Sequence, residues 1–220
     1  MNIEQLESRR LLASSIAGFV YDDVNGNGVR DAGERGFKGS KVYLDLNHDG
    51  VRQKNEPLQK TSKTGSYSFD DLGADTFDVR IVAKKKVRQT SPDTGYFTIT
   101  TNGDDIHVAN DFGLTRTAKV SGKVFSDLNQ NGVQDNGESP IPGVLVFLDK
   151  NKNGVWDASK EQGRVTDDDG LYSFDSAAPR KYVLRVVLPD GASATTPLNG
   201  FYKLKLKAGQ TLTNQDFGLI

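Results

Sequence analysis

The chain repeats one chemical pattern four times: oxygen-bearing side chains on alternate residues, a glycine, then an acid. In "DVNGNGVRDAGE", Asp23, Asn25, Asn27, Asp31 and Glu34 occupy positions 1, 3, 5, 9 and 12, with Gly28 at position 6 and Val29 at position 7. "DLNHDGVRQKNE" repeats it with Asp45, Asn47, Asp49, Gly50, Val51, Gln53 and Glu56. "DLNQNGVQDNGE" does so with Asp127, Asn129, Asn131, Gly132, Val133, Asp135 and Glu138. The fourth stretch, "DKNKNGVWDASKE", supplies Asp149, Asn151, Asn153, Gly154, Val155 and Asp157, but Lys160 stands at position 12 and Glu161 comes one residue late.

A hard divalent cation explains this spacing. Calcium takes 6–8 oxygen ligands, and a 12-residue loop wraps it with donors at positions 1, 3, 5, 7, 9 and 12, the seventh through its backbone carbonyl. Glycine at position 6 allows the sharp turn. A plain two-residue hairpin has no use for a Glu six residues beyond its Asn-Gly. The expected cofactor is therefore Ca2+, with Glu161 reaching the fourth loop through a one-residue bulge or leaving that site weaker. Magnesium suits an all-protein oxygen cage less well. With asparagines among the donors the expected affinity is modest, about 10⁻⁴–10⁻³ M as in extracellular modules. Three carboxylates in the first loop repel one another, so an ion there would clamp a loop too long to be rigid alone.

What must position these loops is itself duplicated. "GFVYDDVNGNG" aligns with "GKVFSDLNQNG", "VYLDLNHDGV" with "VFLDKNKNGV", "TGSYSF" with "DGLYSF", and "NDFGL" with "QDFGL", at offsets of 104 or 105 residues. Two tandem domains result, 15–115 and 117–220, after a tail over 1–14. Apolar residues alternate within each copy, and "GVLVFLD" is apolar on both faces, as in a strand buried within a sandwich. About seven strands fit each copy; in the second they lie near 119–126, 143–149, 162–166, 171–175, 181–188, 200–206 and 211–217. The fold class is all-β: two tandem immunoglobulin-like or prealbumin-like sandwiches. The loops are thus flanked by strands, and a switch that opens paired helices has nothing to act on.

Composition narrows the function. The 220 residues contain no cysteine, which excludes thiol catalysis, disulfides and cysteine-bound zinc. A net charge of −1 gives no basic excess for nucleic acid. No run of about 18 apolar residues exists to span a bilayer.

"GKVFSDLNQNGVQDNGESPIPGVLVFLD", "TDDDGLYSF" and "QDFGL", with their first-copy counterparts, resemble the B-type repeats of serine-aspartate-repeat bacterial surface adhesins, the SdrD B-like domains. The resemblance covers nearly all of the chain after about residue 15. It implies a prealbumin- or Cna B-like sandwich, rigidity that depends on calcium, and a spacer role in a secreted or cell-surface protein. It also implies partners among other surface or matrix proteins, a monomer within a larger multidomain assembly, and Asp167 as an added ligand. The tail resembles an "LEPR-x-LL" export leader at Leu6, Glu7, Arg9, Leu11 and Leu12, with Ser8 in place of the usual proline.

Other motifs read as structural. "DFG" at Asp111–Gly113 and Asp216–Gly218 lacks the rest of a kinase and instead closes each copy with a buried phenylalanine. His48 and His107, the two histidines, have no nucleophile repeated beside them. A Lys–Asn cross-link of the kind found in related sandwiches would use Lys119 or Lys123 with Asn214, but the strand that should carry its acid has arginine at the centre. The basic run Val82 to Arg88 reads as a solvated hairpin tip. The chain is not expected to be an enzyme. An alternative function, recognition of carbohydrate or matrix protein through a sheet face, would need aromatics such as Tyr96, Phe97, Phe201 and Tyr202 exposed together.

Overall fold

The computed structural model describes residues 13–220, so the leader-like motif lies outside the described residues. The chain forms two compact units. The first carries β1 (Ser14–Asp22), β2 (Lys41–Asp45), β3 (Leu58–Lys60), β4 (Ser66–Leu72), β5 (Asp75–Ile81), β6 (Arg88–Ser91), β7 (Tyr96–Thr101), β8 (Ile106–His107) and β9 (Phe112–Thr115). The second carries β10 (Ala118–Ser126), β11 (Leu145–Asp149), β12 (Gly163–Val165), β13 (Leu171–Ala177), β14 (Lys181–Val186), β15 (Ala194–Thr196), β16 (Phe201–Lys205), β17 (Thr211–Leu212) and β18 (Phe217–Leu219).

Each unit is a two-sheet sandwich. In the first, β4-β1-β9-β6 faces β3-β2-β5-β7, and β8 also pairs with β1. In the second, β13-β10-β18-β15 faces β12-β11-β14-β16, and β17 pairs with β10. First and last strands run parallel, Val20 opposite Phe112 and Val124 opposite Phe217, so each domain's two ends share one sheet. β1 shows why it forms: residues alternate between buried and half-buried along nearly its whole length, the period of a strand with one face on a core. Val146, Leu148, Phe174, Leu184 and Phe217 form part of the second core and are almost wholly buried. Phe147, on the opposite face of β11, is covered by Trp156, whose ring centre lies 5.5 Å away.

Among the described residues each domain has nine strands, against about seven expected. The segment expected as one strand over 211–217 is two short pieces, because Asn214 between them is left-handed at φ 57, as Ala109 is at φ 63 in the first copy. β15 has no apolar alternation to announce it; it forms by pairing with β18.

The "DFG" phenylalanines are core residues. Phe112 packs edge-on against Phe97 at 5.1 Å, and Phe217 against Tyr202 at 5.4 Å. The aspartate before each phenylalanine accepts a backbone N–H from the first strand, Phe19 to Asp111 at 2.8 Å and Lys123 to Asp216 at 3.0 Å.

Candidate metal centre

Each loop leaves the end of a buried strand. Asp45 and Asp149 are the last residues of β2 and β11, while Asp23 and Asp127 follow β1 and β10 directly. All four aspartates are fully buried. A buried carboxylate is costly unless it is paired or hydrogen-bonded, and the loops answer alike. The position-6 glycine N–H donates to the position-1 carboxylate, at 2.8 Å for Gly28–Asp23 and Gly50–Asp45 and at 3.0 Å for Gly132–Asp127 and Gly154–Asp149. These glycines are left-handed, with φ between +75 and +80. Position 4 is left-handed as well: Gly26, His48, Gln130 and Lys152 have φ of 75, 60, 59 and 66.

The alternate side chains turn inward as a ladder. Position 3 accepts the position-5 N–H in every loop, at 3.0 Å for Asn25, 3.4 Å for Asn47, 3.0 Å for Asn129 and 2.9 Å for Asn151. Position 5 accepts the position-7 N–H at 2.7–2.9 Å from Val51, Val133 and Val155. The valines themselves present their side chains to solvent, 59–66% exposed, so an ion could use only their backbone.

The late glutamate closes each loop. Its Oε2 accepts the position-9 N–H: Glu34 from Asp31 at 3.1 Å, Glu56 from Gln53 at 2.8 Å, Glu138 from Asp135 at 2.9 Å. Glu161 takes the equivalent N–H of Asp157 at 3.3 Å despite its extra residue. The other oxygen reaches back to the loop's start, Leu46 N to Glu56 Oε1 at 3.1 Å and Lys150 N to Glu161 Oε1 at 2.9 Å.

In the second and third loops, positions 3, 5 and 9 meet at one point. Asn47 Nδ2 and Gln53 Nε2 both donate to Asp49 Oδ2, at 3.0 and 2.7 Å. Asn129 Nδ2 and Asn131 Nδ2 both donate to Asp135 Oδ2, at 2.8 and 2.7 Å, and hold the Asp135 pKa below the ordinary aspartate value. Asp49 is lowered too, chiefly by the Val51 N–H. Rotating each amide by half a turn would exchange its NH₂ for its oxygen. The second loop keeps two oxygens in reserve: Asp45 Oδ1 and Gln53 Oε1, at positions 1 and 9, are buried without a hydrogen-bond partner. A cation fits there, since it would satisfy oxygens that otherwise cost about 1–3 kcal/mol each. Among the described residues no three His, Asp or Glu side chains gather into a cluster by themselves. Any ion in these loops must draw on the amide and carbonyl oxygens between the acids.

A sequence profile of the SdrD B-like domain matches residues 14–117 and again 118–217. The chain belongs to the SdrD B-like domain family. Serine-aspartate repeat-containing protein C of Staphylococcus aureus (strain MRSA252) is 30% identical over 192 residues, 82% of this chain and 20% of that protein. Serine-aspartate repeat-containing protein F of Staphylococcus epidermidis is 27% identical over 198 residues, 84% of this chain and 12% of that protein. The chain therefore spans only 12–20% of these relatives' length. Among solved structures it is similar to a streptococcal ancillary pilin, with 12% identity and a TM-score of 0.37 over 94% of this chain and 63% of that one. SdrD B-like domains are structural rather than enzymatic modules.

In each of these SdrD B-like domains one arginine, distant in sequence, enters a loop from the paired neighbouring strand. Arg80 Nε lies 2.7 Å from Asp45 Oδ2, an ion pair without hydrogen-bond alignment, and Arg185 Nε donates to Asp149 Oδ2 at 2.8 Å. Each guanidinium also covers an aromatic ring, Arg80 on Tyr96 at 3.8 Å and Arg185 on Phe201 at 4.9 Å. Burial alone would raise the Asp149 pKa, but Arg185 and the Gly154 and Lys152 N–H groups outweigh it and bring it below its ordinary value. The aromatics weighed for a binding face are thus engaged, Phe97 and Tyr202 with the core and Tyr96 and Phe201 beneath arginines. At the third loop Thr195 Oγ1 donates to Asp127 Oδ2 at 2.5 Å.

Other residues singled out in the sequence fall elsewhere. Asp167 Oδ1 accepts the N–H groups of Asp169 and Leu171, at 3.1 and 2.8 Å, and so closes the turn between β12 and β13. Lys119 pairs with Asp175 at 2.9 Å and Lys123 donates to Gln134 Oε1 at 2.8 Å, so both ammonium groups have partners other than Asn214. His48 pairs with Asp78 at 3.1 Å. Among the described residues no helix is long and apolar enough to cross a membrane.

Proposed function

We propose that the two domains are a calcium-stabilised spacer of a secreted or cell-surface bacterial adhesin-like protein. The observation that carries this reading is the second loop. Asn47, Asp49 and Gln53 converge above a buried Asp45 whose Oδ1 lacks a partner, as does Gln53 Oε1. Oxygen donors alone suit calcium, and the mixture of carboxylate, amide and carbonyl suits its tolerance of irregular geometry. In the first loop Asp23, Asn25, Asn27, Val29, Asp31 and Glu34 would hold the ion. In the second Asp45, Asn47, Asp49, Val51, Gln53 and Glu56 would do so, and in the third Asp127, Asn129, Asn131, Val133, Asp135 and Glu138. The ion supplies charge neutralisation at each loop's open side, and the chain's own hydrogen bonds keep the oxygens aimed inward. The likeness to serine-aspartate repeat-containing proteins, of whose length this chain spans only 12–20%, supports a place within a larger assembly, where a rigid module would hold other domains apart.

Thermal unfolding in calcium, in magnesium and in chelator tests this. At ten times Kd one site adds about 1.4 kcal/mol, which raises the Tm of a domain this size by roughly 6–11 °C. Calcium should give a rise of that order and magnesium a smaller one. The same Tm in calcium and in chelator would contradict the reading.

A further inference from the structure

The four loops share a backbone but not a position 9. In the second and third loops the side chain there meets positions 3 and 5, through Asp49 Oδ2 and Asp135 Oδ2. In the fourth loop Asp157 turns the other way. Its Oδ1 accepts from the Ser159 N–H at 3.0 Å and the Ser159 hydroxyl at 2.6 Å. Its Oδ2 accepts from Lys160 Nζ at 2.9 Å. Lys160 is the residue that stands where the other loops have glutamate, and it brings a positive charge to the carboxylate.

Position 1 does not separate the fourth loop from the others. Asp45 Oδ1 is buried without a hydrogen-bond partner, but Asp149 Oδ1 receives the Lys152 N–H at 2.5 Å and Asp127 Oδ1 of the third loop likewise receives the Asn131 N–H at 3.0 Å, so the difference peculiar to the fourth loop lies at position 9. Glu161 is held at both ends as Glu56 is, by Lys150 N at 2.9 Å and Asp157 N at 3.3 Å. The loop therefore has its closing contacts, while both oxygens of Asp157 are already taken. An ion entering here would have to displace an ammonium and a hydroxyl before gaining Asp157 as a ligand.

We propose that the fourth loop is closed by the chain's own groups, Lys160 and Ser159 holding Asp157 where the other loops use a divalent ion, so that the chain binds three calcium ions rather than four. This rests on the calcium reading above and adds to it an asymmetry: the first domain carries two ion-dependent loops and the second carries one.

Two measurements on the intact chain test it. Equilibrium dialysis with calcium should give three ions per chain. Hydrogen exchange should show the Gly28, Gly50 and Gly132 amides exchanging about tenfold faster in chelator than at ten times Kd. The Gly154 amide should exchange alike in both. Four ions per chain, or a Gly154 amide that responds to chelator as the other three do, would overturn the inference and leave the calcium reading standing. No bound calcium would overturn the calcium reading and this inference with it. Lys160→Glu, which removes the ammonium and restores an acid at position 12, should raise the count to four; an unchanged count of three in that folded variant also contradicts the assignment.

Discussion

Glu161 Oε2 accepts the backbone N–H of Asp157 at 3.3 Å, across one more residue than separates Glu56 from Gln53, where the same contact is 2.8 Å. The extra residue is absorbed locally. The Glu161 N–H bonds to Asp157 O at 2.9 Å and the Lys160 N–H to the same carbonyl at 3.1 Å, so a wider turn takes the place of the tighter one. The glutamate is thus a backbone clasp in all four loops, whatever else it holds.

That double role separates two effects of removing its charge. Glu34→Gln and Glu138→Gln keep the side-chain length but leave one oxygen acceptor where glutamate has two, and remove the charge. Each should lower stability in chelator by no more than about 0.5–1.5 kcal/mol, because the Asp31 and Asp135 N–H groups are exposed and water can replace a lost acceptor. Each should also shrink the calcium-dependent part of Tm. Unfolding curves in calcium and chelator check both; variants that gain as much from calcium as the parent would show that position 12 is not a ligand.

Gly218 packs against the third loop. A Cβ there would lie 2.6 Å from Thr195 Oγ1 and 2.9 Å from Asp127 Cβ and Oδ2. Gly218→Ala should therefore cost about 1–3 kcal/mol by overpacking. Gly73→Ala is the control, because nothing lies within 4 Å of a Cβ there, and its effect should be small. Chemical denaturation measures both, and equal effects would contradict the packing.

Asp105 gives the first domain an acid-sensitive contact that the second lacks, since Ala118 stands where the first copy has Ser14. The Ser14 hydroxyl, His107 Nε2 at 2.8 Å and the Asn102 N–H at 3.2 Å all point at its carboxylate and bring its pKa to about 2 from 3.8. A carboxylate lowered on folding stabilises the fold above its unfolded pKa, and that contribution disappears as pH falls through the folded one. The Tm difference between the parent and Asp105→Asn should be largest above about pH 4 and shrink toward about pH 2. A difference that stays constant across that range would contradict a carboxylate whose pKa falls on folding.

The loops were legible in the sequence because their donors are sequential. Alternation, the position-6 glycine and the closing glutamate all sit within 13 residues, and the internal repeat shows them twice over. The buried "DFG" phenylalanines were legible for the same reason. Arg80 and Arg185 were not, although the sequence shows an arginine at the centre of an apolar strand in both copies. Arg185 meets Asp149 across 36 residues, and only the pairing of β11 with β14 brings them together. The signal was the repetition of a charge where a core residue would stand. Lys160 was visible as a departure from the pattern, but its contact with Asp157 depends on which way one side chain turns. The left-handed position 4 was hidden because only the first loop marks it with glycine. β15 was missed because its residues are small and polar, and a neighbouring strand supplies its hydrogen bonds.

A crystal structure of this chain grown in millimolar calcium, with the anomalous signal of the metal recorded, would locate the ions themselves. Metal peaks are expected in the loops that begin at Asp23, Asp45 and Asp127, each about 2.3–2.6 Å from its side-chain oxygens. In the second loop Asp45 Oδ1 and Gln53 Oε1 should be among the ligands. Well-ordered loops with no peak at any of the three would contradict the calcium reading.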